Sequence, residues 1–289
     1  DTLVGQRRLS ARRYLSGNGL LLCHRRRAPL SVLPDAQNPA HVRTCRISDF
    51  SRQFLAKCGP GLGPVVRFCQ IVQSPAIQRA GLRQCFDQAD RYELALDFHV
   101  DETLGDANGV EMIADIALET GFQGPVLCGH AVALMNKSPA DFTRIADKLA
   151  RARITVCALP TTNLYLQGRT SGTPDRRGIT RLSELTTAGV PTIVGSDNVA
   201  DAFCPVGQHD PMAALHLACL TAHLDPPLAR LLAMITTDAA HAIGLPPMMV
   251  DSARAQDLLI SDAPHVAALI AGHARRLPLT PPTMPQPQR

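Results

Sequence analysis

Residues 94–102 read Leu-Ala-Leu-Asp-Phe-His-Val-Asp-Glu, an apolar run that passes directly into a polar cluster. Leu94–Phe98 has the length and composition of a buried strand. His99, Asp101 and Glu102 then fall at its C-terminal end. Downstream the same unit recurs. Val110–Thr120 carries Val110, Ile113, Ala114, Ile116 and Ala117 at helical spacing. Pro125–Cys128 is apolar again and ends in Gly129-His130. Ala140–Ala152 reads as a helix with Phe142, Ile145, Ala146 and Leu149 on one face. Ile154–Leu159 is a third strand, running through Pro160 into Asn163-Leu164-Tyr165-Leu166-Gln167-Gly168-Arg169. Gly178–Ala188 is a helix stopped by Gly189, a residue type favoured just past a helix end. Val190–Gly195 is a fourth strand, ending in Ser196-Asp197-Asn198. Further helices are expected at Met212–Ala222 and Leu228–Ala233.

Strands near 94, 125, 154 and 190, each followed by a helix, define βα units of about 30 residues and hence a parallel sheet. The composition agrees with an α/β barrel of the TIM type. Hydrophobic residues make up 45% of the chain, aromatics only 4%, and Trp is absent, so aliphatic side chains must fill the interior. All four polar clusters lie at strand C-termini, the face on which such barrels build their sites.

The residue types on that rim share one chemistry. A neutral imidazole (His99) and a carboxylate (Asp197) can hold a divalent metal ion, which acidifies a coordinated water to a pKa of about 7. Glu102, three residues after His99, is placed to shuttle a proton from that water to a leaving nitrogen. His130 can stabilise the reacting oxygen.

The stretches His99–Thr103 (HVDET), Gly129–Leu134 (GHAVAL), Asn163–Arg169 with Pro174–Ile179, and Gly195–Gly207 together resemble cytosine deaminase and its close amidohydrolase relatives. The resemblance covers about Cys85 to Ile260. It implies a TIM-type amidohydrolase barrel that releases ammonia from a cyclic amidine or amide such as cytosine. It implies one iron or zinc ion held by His99 and Asp197, Glu102 as proton shuttle, and His130 against the metal-bound water. The position of Asn198 is an Asp in the best-known cytosine deaminases, where it contacts the pyrimidine ring. An amide differs from a carboxylate in its donors and acceptors, so this departure bears on the substrate.

Other motif residues have open readings. Gln167 binds substrate or buttresses a loop. Arg176-Arg177-Gly178 anchors a loop and caps a helix, or contacts substrate. Asp201 orders the loop after Asp197 or is solvated. His209, His216 and His223 lack an acidic third ligand and read as loop and helix-surface residues. Met234–Ala240 resembles the family's barrel-closing helix, and Gln256–Ile260 its return into a small β-sandwich. The Pro- and Gln-rich tail after Leu277 is expected to be disordered.

The first 80 residues are of another kind. They carry thirteen basic residues against three Asp and no Glu, a charge of +10 in a chain whose total is +4. An organelle transit peptide, a basic disordered arm and an out-of-frame coding stretch all fit this composition, and we favour the third. Val65–Val72 is apolar and β-branched enough to be a strand. The domains expected are therefore 1–82, anomalous and basic; 83–250, the C-terminal half of the barrel; and 251–289, the β-sandwich return with its tail. No His-x-His occurs anywhere, whereas the family uses that pair as metal ligands on its first barrel strand. The barrel is accordingly expected to be incomplete in its N-terminal half and the metal weakly held. The alternative function is an inactive fragment or pseudoenzyme of the family. A nucleic-acid partner is excluded by the modest net charge and the missing stacking platform. A membrane span is excluded by the lack of any apolar run of sufficient length. Nine scattered Cys without a CxxC point to free thiols and a cytoplasmic setting. A homo-oligomer is compatible with all of this.

Overall fold

The computed structural model describes residues 65–68, 75–169 and 172–279, with side chains from Arg79 onward. The basic segment through residue 64, with His24 and His41, lies outside the described residues, as does the end of the tail from 280.

Five strands lie side by side in chain order, all parallel: β1 (Val65–Phe68), β2 (Ala95–Val100), β3 (Val126–His130), β4 (Thr155–Ala158) and β5 (Thr192–Val194). The described sheet thus has five strands where a closed barrel of this type has eight. β1 occupies the first half of the Val65–Val72 run. Parallel neighbours need long crossovers, and helices supply them. α1 (Pro75–Arg91), α2 (Gly109–Thr120) and α3 (Pro139–Arg151) separate the first four strands; α4 (Pro160–Leu166) and α5 (Leu182–Thr187) lie between β4 and β5. α6 (Pro211–Thr221), a 3-10 segment (Leu228–Ile235) and α7 (Thr237–Ala242) follow.

The helices form where the sequence offers start signals. Ser138 caps α3, its hydroxyl accepting the Asp141 N–H at 3.1 Å, with Pro139 at the first helical position. Asp210 does the same for α6, accepting the Met212 N–H at 3.0 Å ahead of Pro211. α5 differs from expectation. It begins at Leu182 rather than Gly178, because Gly178 takes a left-handed φ of 64°. The 3-10 segment extends to Ile235 where an α-helix ending at Ala233 was expected, and the closing helix runs Thr237–Ala242 rather than Met234–Ala240.

Alternation along the strands sorts side chains into two layers. Leu96, Phe98, Val126, Cys128 and Val156 pack against Phe86 of α1, Ile113 and Ile116 of α2, and Leu149 of α3. Each such fully buried side chain contributes about 1.5–3 kcal/mol of transfer free energy. The opposite face gathers Leu127, Cys157, Leu159 and Ile193 with Ala239 and Ala242 of α7. The register places His99 beside Gly129, and Gly129 beside Cys157.

Near the C-terminus, β6 (Leu259–Ser261) pairs antiparallel with β7 (Arg276–Pro278), and α8 (Val266–Ile270) lies between them. The ribbon is attached through Arg276, whose guanidinium reaches the Asp210 carboxylate at 2.8 Å. Of the expected return stretch Gln256–Ile260, Leu259 and Ile260 lie in β6, and Gln256 and Asp257 lie in a 3-10 turn. The described residues run through Leu279, so most of the tail expected to be disordered lies outside them. Among the described residues no helix is long and apolar enough to cross a membrane, and the five described cysteines are free.

Candidate active site

The site is assembled where the parallel strands end, and its backbone is locally unusual. Asp101, His130, Ala131 and Asp197 all have positive φ, at 54°, 71°, 50° and 61°. Non-glycine residues there carry a cost of about 1–3 kcal/mol each, sustained by the surrounding structure. The consequence at His130 is directional. Val126 and Cys128 face the helices, so simple alternation would send residue 130 the same way. The left-handed turn at His130 and Ala131 breaks the alternation, and the imidazole instead meets His99.

His130 is completely buried. Its Nε2 lies 3.1 Å from His99 Nδ1 and 3.8 Å from Asp197 Oδ2. Its Nδ1 lies 2.8 Å from Asn163 Oδ1 and 3.5 Å from Glu102 Oε1. Five residues drawn from the ends of four strands, with His99 and Glu102 both from β2, therefore converge on one point. Among the described residues, His99, Glu102 and His130 form a grouping whose potential ligand atoms all lie within 4.8 Å of one another.

The electrostatics follow from burial. Loss of solvent, reinforced by the negative charge of Asp197, pushes the Glu102 carboxyl up to about 7. Burial lowers the His130 imidazole below its ordinary range, against the opposing pull of its Asn163 hydrogen bond and of Asp197. The imidazole is therefore neutral at physiological pH, the form that ligates metals and accepts protons. Two imidazole nitrogens and nearby carboxylate oxygens are a donor set suited to zinc or iron.

Loops hold these groups in place. Asp101, fully buried, accepts the Gly109 and Val110 N–H groups at 2.9 Å each, capping α2 from across the loop that carries Glu102. Burial raises its carboxyl and the two N–H bonds pull it back. Gln167 Nε2 donates to the Glu102 carbonyl at 3.4 Å, and its side chain lies over Gly178, where a Cβ would come within 2.5 Å of Gln167 Cγ. Arg176 donates to the Leu104 carbonyl at 3.3 Å and to Asn136 Oδ1. The Asn198 amide donates to Asp201 Oδ2 at 2.6 Å, and Asp201 Oδ1 accepts the Phe203 and Cys204 N–H groups. Asp201 thus orders the loop after Asp197.

Two residues at the site had no role assigned from the sequence, although Asn163 opens its third polar cluster. Asn163 is held against His130, and Thr162 Oγ1 accepts the Asn198 N–H at 3.1 Å. Both belong to α4, which the polar run Thr161-Thr162-Asn163 conceals; Pro160 at its first position was the available signal.

The parallel α/β sheet thus brings His99, Glu102, His130 and Asp197 together at its strand ends. Residues 55–247, two thirds of the chain, match the model of the amidohydrolase family, and the chain belongs to that family. The chain is 41% identical over 155 residues to a pterin deaminase of Rhizobium rhizogenes (strain K84 / ATCC BAA-868), which covers 53% of this chain and 36% of that protein. It superposes on 5-methylcytosine deaminase from Klebsiella pneumoniae liganded with phosphonocytosine with a TM-score of 0.64 and 26% identity, covering 74% of this chain and 53% of that one. N-isopropylammelide isopropylaminohydrolase from Burkholderia multivorans ATCC 17616 shares the fold at a TM-score of 0.52 and 23% identity, over 68% of this chain and 48% of that one. The chain spans about a third of the length of the curated relative and about half that of the solved structures.

Proposed function

We propose that this site hydrolyses the exocyclic C–NH₂ bond of a cyclic amidine, cytosine first among the candidates, releasing ammonia. The observation that carries this reading is the Glu102 carboxyl, held near pH 7 within 3.5 Å of His130 and sensing the charge of Asp197. A carboxyl with that affinity can take a proton from water and deliver it to a leaving nitrogen in one turnover. Water adds across the ring C=N bond, its hydroxyl to the amino-bearing carbon and one proton, through Glu102, to the ring nitrogen; Glu102 then carries the hydroxyl proton to the amino group, and ammonia departs as the carbonyl forms. His130, neutral and buried, accepts a hydrogen bond from the attacking water at Nε2, the nitrogen that faces His99 and Asp197. One divalent ion, iron or zinc, would be held by His99 and Asp197 with His130 and Glu102 in reach; when bound it supplies Lewis acidity. Gln167 and Asn198 sit beside the site as candidate substrate contacts, and residues 83–250 form the functional half-barrel.

The ring is chosen by analogy. Cytosine and pterin each present an amino group on a ring amidine carbon, so the two relatives' names agree on the reacting unit and differ on what is fused to it. A test incubates the full chain, supplemented with zinc or iron, with cytosine, 5-methylcytosine and pterin, and measures ammonia. Release from one of them, abolished by Glu102→Gln, supports the reading. No release from any, in a chain that binds metal stoichiometrically, sinks it.

A second reading is an inactive member of the family. The observation favouring it is the absence of His-x-His from all 289 residues. Less than a tenth of an equivalent of metal per chain after reconstitution would select it.

A further inference from the structure

We propose that Asn163 is a positioning residue that fixes His130 as the Nδ1–H tautomer, so that the Nε2 lone pair faces His99 and Asp197. The amide oxygen can only accept, and it lies 2.8 Å from Nδ1. Nδ1 therefore carries the hydrogen and Nε2 the lone pair. Nε2 is the nitrogen 3.1 Å from His99 and 3.8 Å from Asp197, where a lone pair has a use. Both partners are enclosed: His130 is 0% exposed and Asn163 1%, so no solvent competes for Nδ1.

Three features argue that this contact is more than packing. Asn163 Nδ2 is buried without a hydrogen-bond partner, a group that a purely structural position would replace with an apolar atom. The amide is the nearer acceptor, 2.8 Å from Nδ1 against 3.5 Å for Glu102 Oε1, and it orients the ring without adding a charge of its own. Finally, Asn163 is itself fixed. Its N–H bonds the Leu159 carbonyl at 3.0 Å, and its own carbonyl receives Gln167 N–H at 2.9 Å. Orientation of a ligating imidazole by a partner on its other nitrogen commonly governs metal affinity by 10–100-fold.

The tautomer assignment stands independently of the deamination reading, and only its bearing on catalysis rests on that reading. The full chain, ¹⁵N-labelled and freed of metal, is studied by long-range ¹H–¹⁵N correlation of its histidine rings. The wild type is expected to show His130 with a protonated-type Nδ1 and an unprotonated-type Nε2. Asn163→Leu, similar in volume, should give the averaged shifts of two exchanging tautomers and a zinc affinity lower by about tenfold or more. Asn163→Asp keeps the acceptor and should keep the hydrogen on Nδ1, while its added charge favours protonation of Nε2 as well. A wild-type Nε2–H tautomer, or an Nδ1–H signature unchanged in Asn163→Leu, overturns the proposal. Should Asn163→Leu fail to fold by circular dichroism, the wild-type and Asn163→Asp spectra still decide it. An intact tautomer in a chain that releases no ammonia would count against the function and leave this assignment standing.

Discussion

The helix-facing layer of the sheet and the rim at its strand ends are built on opposite rules from the same strands. The layer is aliphatic and aromatic, alternates regularly, and keeps ordinary backbone angles. A few residues further along β2 and β3, the rim is polar, breaks the alternation, and holds non-glycine residues in left-handed conformations. Stability is thus concentrated in one place and chemistry in the other, so the two should respond separately to mutation.

The largest effect expected is in the layer. Phe98→Ala should cost about 3–5 kcal/mol of folding stability, read from urea unfolding, because Phe98 is buried between β2 and α1 near Phe86. On the rim, Glu102→Gln should lower deamination by about 10²–10⁴-fold while leaving the unfolding midpoint nearly unchanged. If both variants lose stability alike, the separation between layer and rim fails. Asp101→Ala lies on the border of the two. It should cost about 1–3 kcal/mol for two buried N–H groups left without an acceptor and also slow the reaction, since the loop bearing Glu102 is released; stability and rate are measured on the same sample. At the periphery, Ser138→Ala should cost about 1 kcal/mol through the lost α3 cap and leave activity alone.

The smallest effect sharpens the contrast by pH. The Glu102 carboxyl titrates near 7 in the fold against an ordinary value of 4.5. Between those values the unfolded chain has ionised this group and the folded chain has not, so stability falls as pH rises through the window and levels above it. Melting temperatures of chelator-treated wild type should therefore decline from about pH 4.5 to 7 more steeply than those of Glu102→Gln. Parallel slopes would mean that Glu102 is solvated rather than held.

The sequence made the layer legible and the rim only in part. Hydrophobic period alone located β2 to β5 and the buried faces of α2 and α3, because burial acts on every third or fourth residue and leaves a pattern. It also placed His99, His130 and Asp197 at strand ends and Glu102 beside them. It could not show how they meet. His130 turns inward through a left-handed backbone that no side-chain pattern encodes. α4 was hidden because its polar residues serve the site rather than a core and carry no period. The start of α5 was set early for a related reason: Gly178 lies beside Gln167, and that contact outweighs the helical pattern around it.

α4 also has a mechanical consequence. Through Thr162 it grips the loop of Asp197, and through Asn163 the ring of His130, two jaws mounted on one block. Both jaws ride on the same block, so the gap between imidazole and carboxylate is set by α4 as well as by the strands that bear the two groups. A one-residue insertion between Thr162 and Asn163 would turn the two grips apart by a further step of about 100°, the angular step of a helix of 3.6 residues per turn, and the gap would lose its gauge.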